Sequence, residues 1–137
     1  MKQIVQTTIK EVMTPSPHSV GEELSLKDAA VMMKDYSIRH LPVRKGREIK
    51  GILSERDIDF AGRVDKKPLE NIKVEDACST DLYIVPSNTL VSEVARTMSE
   101  LGIGCAIVTE NDALVGIFTS VDACRLLAET LDSKHGH

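Results

Sequence analysis

The heptapeptide Gly51-Ile52-Leu53-Ser54-Glu55-Arg56-Asp57 recurs as Gly116-Ile117-Phe118-Thr119-Ser120-Val121-Asp122, a shift of 65 residues (116 minus 51). At that shift residues 18–58 align with 83–123 without a gap. Eight positions are identical: Val20/Val85, Ala30/Ala95, Met33/Met98, Ile38/Ile103, Val43/Val108, Gly51/Gly116, Ile52/Ile117 and Asp57/Asp122. Most are apolar, so one folding unit is used twice. In both copies an apolar run carrying a glycine ends at a hydroxyl residue, and an aspartate follows three positions on, where a helical pattern begins. That order predicts a strand, a sharp turn and a helix. A hydroxyl at the N-cap with an acid at N3 is the spacing of a capping box, and the free N–H groups and dipole of the same helix start favour an anion. Ser54/Asp57 and Thr119/Asp122 therefore have two readings, as helix caps and as a repeated site.

With 137 residues, 42% of them hydrophobic, the chain can bury one core or form two halves that each need the other. The longest unbroken apolar run, Ala29 to Met33, falls far short of the roughly 20 residues that cross a bilayer. The N-terminus has no charged-then-apolar signal pattern, so a soluble cytoplasmic protein with no membrane partner is expected. Seventeen Lys and Arg against 21 Asp and Glu give a net charge of −4, which leaves no global field to attract nucleic acid. Cys78, Cys105 and Cys124 show no C-x-x-C spacing and are expected to be reduced thiols that fill space in packing. Two tail histidines, His135 and His137, could hold a metal only loosely at a frayed end, and no metal site is expected.

Along the chain, Ile4-Val5 reads as a short extended start. Thr8 to Met13 follows as a single helical turn that Pro15 ends, and Ile72 to Cys78 is its counterpart. The bends Ser16-Pro17-His18 and Asp81-Leu82-Tyr83 lead into brief extended pieces at Ser19-Val20 and Ile84-Val85. Ser25 opens a helix with Asp28 at N3 and an apolar stripe of Leu26, Ala29, Ala30 and Met33. In the second copy Val91, Val94, Ala95, Met98 and Leu101 form that stripe. Two strand pairs are expected, Ile38–Val43 with Ile49–Leu53, and Gly104–Val108 with Leu114–Phe118, turning at Lys45-Gly46-Arg47 and Asn111-Asp112. Final helices run from Glu55 to Ala61, before Gly62, and from Ser120 to about Leu131, with a polar linker at 63–71. Val121, Ala123, Cys124, Leu126, Leu127, Ala128 and Leu131 wrap too much of the last helix for one buried stripe, so part of it should meet a second chain.

A β-α-β-β-α unit used twice, with Arg39-His40-Leu41-Pro42-Val43 before Gly51 to Asp57 in the first copy, resembles the cystathionine-β-synthase (CBS) domain pair, or Bateman module. The resemblance covers residues 8–131, with repeat 1 at 8–62, a linker at 63–71 and repeat 2 at 72–131. It implies an α+β (α/β) fold of two three-stranded sheets side by side with helices outside, related by a pseudo-two-fold. It also implies two clefts between the repeats that take adenosine ligands, and commonly a disc-shaped homodimer.

Carried over by resemblance, the first cleft places Asp57 on the ribose hydroxyls, Ser54 and Arg56 facing the ribose-phosphate, and Arg39 and His40 on the phosphate. Adenine is expected against the other repeat, near Cys78, Asp81, Tyr83 and Ile103. A carboxylate suits two adjacent hydroxyls, and an arginine fork suits phosphate. In the second cleft Asp122 and Thr119 keep the ribose role, with Met13, Ser16, His18 and Ile38 on the adenine side. Gly104, Cys105 and Val121 stand where the first repeat has Arg39, His40 and Arg56, so the phosphate end of the second cleft is expected to be bare. Taken singly, Arg39 and Arg44 also read as a solvated strand edge and His40 as a satisfied histidine.

The resulting expectation is a regulatory module that senses an adenosine nucleotide and transmits this to a partner protein. AMP is favoured, and ADP, ATP, a dinucleotide or S-adenosylmethionine are the other family ligands. No catalytic cofactor is expected, and no catalytic residues: a Ser54–His40–Asp57 trio is disfavoured because Ser54 and Asp57 share one helix turn and no G-x-S-x-G elbow exists. Alternatives are an adaptor with a vestigial pocket, and nucleic-acid binding through Arg39, Arg44, Lys45, Arg47 and Lys50. Aromatic residues at 3% offer few stacking platforms for the latter.

Overall fold

The structure is a computed structural model and describes residues 6–134; Ile4-Val5 and the histidines of the tail lie outside the described residues. Its elements run α1 (Ile9–Val12), β1 (Thr14–Pro15), β2 (Val20–Gly21), α2 (Leu26–Tyr36), β3 (His40–Lys45), β4 (Glu48–Ser54) and α3 (Glu55–Asp65). Two 3-10 turns follow, Leu69–Asn71 and Val74–Asp76. The second series is β5 (Ile84–Pro86), α4 (Val91–Leu101), β6 (Cys105–Glu110), β7 (Ala113–Thr119) and α5 (Ser120–Lys134). The β-α-β-β-α order therefore occurs twice, as the repeat requires.

These elements gather into two compact units, His18–Leu82, and the residues up to Pro17 together with those from Tyr83 onward. In the His18–Leu82 unit β2 lies parallel to β3 (Val20↔Val43) and β3 antiparallel to β4 (Val43↔Gly51), giving the order β2-β3-β4. Leu41, Val43 and Leu53 from the sheet meet Leu26, Ala29 and Met33 of α2 and Ile58 and Ala61 of α3, all buried. Ser25 caps α2 as its sequence requires, accepting from the Asp28 N–H at 3.1 Å.

The other unit repeats the plan with order β1-β7-β6-β5, so this sheet has four strands where three were expected, because Thr14–Pro15 pairs antiparallel with Ile117 and Gly116. Phe118, Ala106, Val108 and Val85 of its sheet pack with Val91, Val94 and Met98 of α4 and Ile9 of α1. Asn111 and Asp112, with φ of 50° and 65°, form the two-residue hairpin turn between β6 and β7.

Each unit takes its first helical turn from the segment at the head of the other repeat. The Ile9 N–H donates to the Thr89 carbonyl at 2.7 Å, and Met13 lies on Gly116. In the His18–Leu82 unit, Ile52 and Ser79 exchange two N–H···O bonds of 2.9 Å and Cys78 lies on Gly51. Thr14/Ser79 and Met13/Cys78 obey the 65-residue shift, so the crossing is itself repeated. This explains the repeated glycine. A Cβ on Gly51 would stand 2.8 Å from both Cys78 Sγ and the Ser79 carbonyl oxygen, and one on Gly116 would meet Met13 Sδ.

Two local expectations are corrected. α3 does not stop before Gly62 but runs to Asp65 and ends at Lys66, in the left-handed region with φ of 52°. Gly62 instead provides room for Leu69, whose Cδ2 would lie 3.3 Å from an added Cβ, so the supposed linker at 63–71 is mostly helix and 3-10 turn. Of the three cysteines only Cys105 is buried, whereas Cys78 is half-buried and Cys124 is exposed on α5. No helix among the described residues is long and apolar enough to cross a membrane.

Candidate functional site

Strand β4 ends at Ser54 and α3 begins at Glu55, so the N-cap falls on the hydroxyl that the sequence supplies. Ser54 Oγ accepts from the Asp57 N–H at 3.0 Å while Asp57 Oδ2 accepts from the Ser54 N–H at 2.9 Å, a complete capping box. Among the described residues Asp57 Oδ1 accepts no hydrogen bond, and this oxygen is an available acceptor at the helix start. His40 stands opposite Ser54 in the β3–β4 ladder, half-buried, and Arg56 is exposed on the first turn of α3. Arg39 is exposed, and its carbonyl accepts from the Glu55 N–H at 2.9 Å. With Lys34, Ser37, Ile38 and Glu55 it lines an open depression of about 400 Å³, which adds a second cation, Lys34, that the motif did not indicate.

Cys78 and Asp81, expected near Asp57 in the first cleft, belong by sequence to the second repeat but lie in this same His18–Leu82 unit, because the Ser79–Ile52 bridge ties their segment to the edge of β4. Asp81 is held by its N–H donating to Ser79 Oγ at 3.2 Å. Burial pushes the Cys78 thiol up, and the neighbouring charges of Asp57 and Glu22 act in the same direction. His18 and Ile38, expected on the adenine side of the second cleft, also lie in this unit. The His18 ring stacks on Tyr36 with centroids 3.7 Å apart and planes at 12°, and Ile38 packs on the core.

The other unit brings together Asp122, Thr119, Cys105, Met13 and Ser16, with Tyr83 and Ile103 packed on its core. Met13 and Ser16 are here because β1 pairs with β7, and the Ser16 N–H donates to the Val115 carbonyl at 3.0 Å. The box recurs, Asp122 N–H to Thr119 Oγ1 at 3.2 Å and Thr119 N–H to Asp122 Oδ2 at 2.9 Å. Two further groups reach this carboxylate. Thr14 Oγ1 donates to Oδ2 at 3.4 Å, and Arg125 Nη1 donates to Oδ1 at 3.1 Å. The second half-site is therefore not bare of cations. The motif alignment missed Arg125 because its counterpart in the first repeat is Phe60, although the i,i+3 spacing from Asp122 was visible. Cys105, opposite Thr119 in the ladder, is buried beside Asp122. Burial first, and the Asp122 charge second, push its thiol up to about 12, so it stays protonated.

A sequence model of the CBS domain matches residues 9–62 and 74–129, once for each β-α-β-β-α copy. The chain belongs to the CBS-domain family. Its CBS pair is similar to a crystal structure described as an acetoin utilization protein (AcuB) from Vibrio cholerae, at 27% identity and a TM-score of 0.84, covering 96% of this chain and 98% of that one. It is also similar to the CBS domain pair of protein MJ0100, solved in complex with 5′-methylthioadenosine and S-adenosyl-L-methionine. There the identity is 26%, the TM-score 0.82, and the coverage 90% of this chain and 98% of that one. Protein YlbB of Bacillus subtilis, itself uncharacterized, is 32% identical over 132 residues, 95% of this chain and 87% of its own length.

Proposed function

We propose that this CBS pair is a regulatory module that binds an adenosine nucleotide, AMP foremost, at the half-site built on Asp57, and that occupancy changes how it engages a partner protein. The observation that supports this most is the Asp57 carboxylate, fixed by the capping box through Oδ2 and available through Oδ1. One ribose hydroxyl can donate to that oxygen, and Arg56, Arg39 and Lys34 supply cations for a phosphate on the same unit. The adenosine ligands of the MJ0100 pair are consistent with this class. Catalysis is not part of the reading, since Ser54 Oγ is occupied by the helix it caps and the Ser54–Asp57 contacts are those of a cap.

A thermal-shift screen of adenosine compounds on the full chain tests the reading. A ligand at 100 times its dissociation constant should add about 2.7 kcal/mol of stability. AMP, ADP or ATP should raise the melting temperature, with AMP acting at the lowest concentration. A screen in which no adenosine compound stabilises the protein refutes the nucleotide reading and leaves the adaptor role.

The same module is proposed to act as a homodimer. Val121, Leu127 and Leu131 of α5 are 55%, 60% and 47% exposed, and Val121, Cys124, Ala128 and Leu131 follow the three-four spacing of a helix seam. An apolar groove of about 230 Å³ lined by Val91, Ala95, Leu126 and Leu127 continues this face onto α4. Sedimentation at micromolar concentration should show a dimer burying on the order of 1,200 Å² or more, and Leu127→Arg should convert it to monomer. A wild-type monomer under those conditions contradicts it.

A further inference from the structure

The two half-sites share a capping box and differ at the carboxylate's outer oxygen. Asp122, whose side chain is 10% exposed, has both oxygens engaged: Oδ2 by the Thr119 N–H and the Thr14 hydroxyl, Oδ1 by Arg125 at 3.1 Å. In the first copy Phe60 replaces Arg125, and Ser79, the counterpart of Thr14, accepts from the Asp81 N–H instead. A ribose diol arriving at Asp122 therefore competes with a guanidinium for a nearly buried carboxylate. That cation then needs another anion close by, because separating a charge pair costs far more when one partner is poorly solvated. A 5′-phosphate or a carboxylate on the ligand supplies the anion, and a plain nucleoside does not.

We propose that Arg125 is a specificity-determining residue of the second half-site: it closes Asp122 to neutral adenosine and admits anionic adenosine ligands, whose acidic group it takes in exchange for the carboxylate. The inference rests on the nucleotide reading above. Arg125 is 61% exposed, so the guanidinium is free to swing from Asp122 to an adjacent anion, while Asp122 stays fixed by its cap.

The test is calorimetric titration of AMP and of adenosine into the full chain carrying Asp57→Asn, which silences the first half-site while leaving an oxygen to accept the Ser54 N–H. The same titrations are repeated with Arg125→Ala or Arg125→Lys added. With Arg125 present, AMP should bind the second half-site about 10-fold or more tighter than adenosine. Arg125→Ala should tighten adenosine and weaken AMP until the two agree within about 3-fold, and Arg125→Lys should restore a preference for AMP. An unchanged AMP-to-adenosine ratio in Arg125→Ala overturns the proposal and reduces the contact to a surface ion pair. So does complete loss of AMP binding in Asp57→Asn, which would leave no second site to select. If the wild-type chain binds no adenosine compound, the nucleotide reading itself fails, an outcome distinct from a wild type that binds AMP with a ratio indifferent to Arg125.

Discussion

Replacing Asp57 by Ala should weaken AMP binding by about 10- to 150-fold. The lost interactions are charge-assisted hydrogen bonds from ribose hydroxyls to the carboxylate, worth roughly 1.5–3 kcal/mol. The substitution also removes half of the capping box, since Asp57 Oδ2 accepts from the Ser54 N–H, so part of its effect will appear as lower stability of α3. Asp57→Asn separates the two effects. It keeps an acceptor for the cap and removes the charge, so a binding loss that persists in Asp57→Asn with little change in melting temperature belongs to the ligand contact.

The second large effect is on stability and distinguishes the two repeated glycines. Gly51→Ala places a methyl 2.8 Å from the Ser79 carbonyl oxygen and from Cys78 Sγ. The backbone oxygen is held by the two hydrogen bonds of the Ile52–Ser79 bridge and cannot yield without breaking them. The expected cost is about 3 kcal/mol, the upper end for an overpacked site. At Gly116→Ala the nearest obstacle is the side chain of Met13, whose three rotatable bonds let it move, so about 1 kcal/mol is expected. Adding Met13→Ala should then recover most of the overpacking in Gly116→Ala, at the cost of the methionine's own packing, whereas Cys78→Ala should leave Gly51→Ala destabilised. Urea unfolding of the four variants measures this. Equal losses in Gly51→Ala and Gly116→Ala would contradict the distinction between backbone and side-chain obstacles.

Features specified within a few residues were legible in the sequence. The Ser54/Asp57 and Thr119/Asp122 boxes formed because a cap depends on residues three apart, and α2 began at the Ser25 cap for the same reason. The stripes of α2 and α4 gave the core residues Leu26, Ala29, Met33, Val91, Val94 and Met98 directly. What could not be read was which segment completes which sheet. Thr14 pairs with Ile117 about a hundred residues away, and a two-residue strand carries too little pattern to announce its partner. The segment carrying Cys78 and Asp81 joins the unit of Asp57, and the segment carrying Met13 and Ser16 joins that of Asp122. Gly62 reads as a helix stop although it makes room for Leu69, since a glycine's neighbours are not visible locally. Arg125 was overlooked because comparing repeat with repeat finds what the copies share, and this side chain is where they differ.

The most direct test is one calorimetric series with AMP titrated into the wild-type chain, Asp57→Ala and Asp122→Ala. Asp57 offers a carboxylate oxygen that no described residue occupies, whereas Asp122 is already engaged by Arg125. The tightest binding event of the wild type should therefore weaken by about 10- to 150-fold in Asp57→Ala and persist nearly unchanged in Asp122→Ala. Equal losses in the two variants would mean that the half-sites are equivalent, and a larger loss in Asp122→Ala would contradict the assignment of the principal site to Asp57.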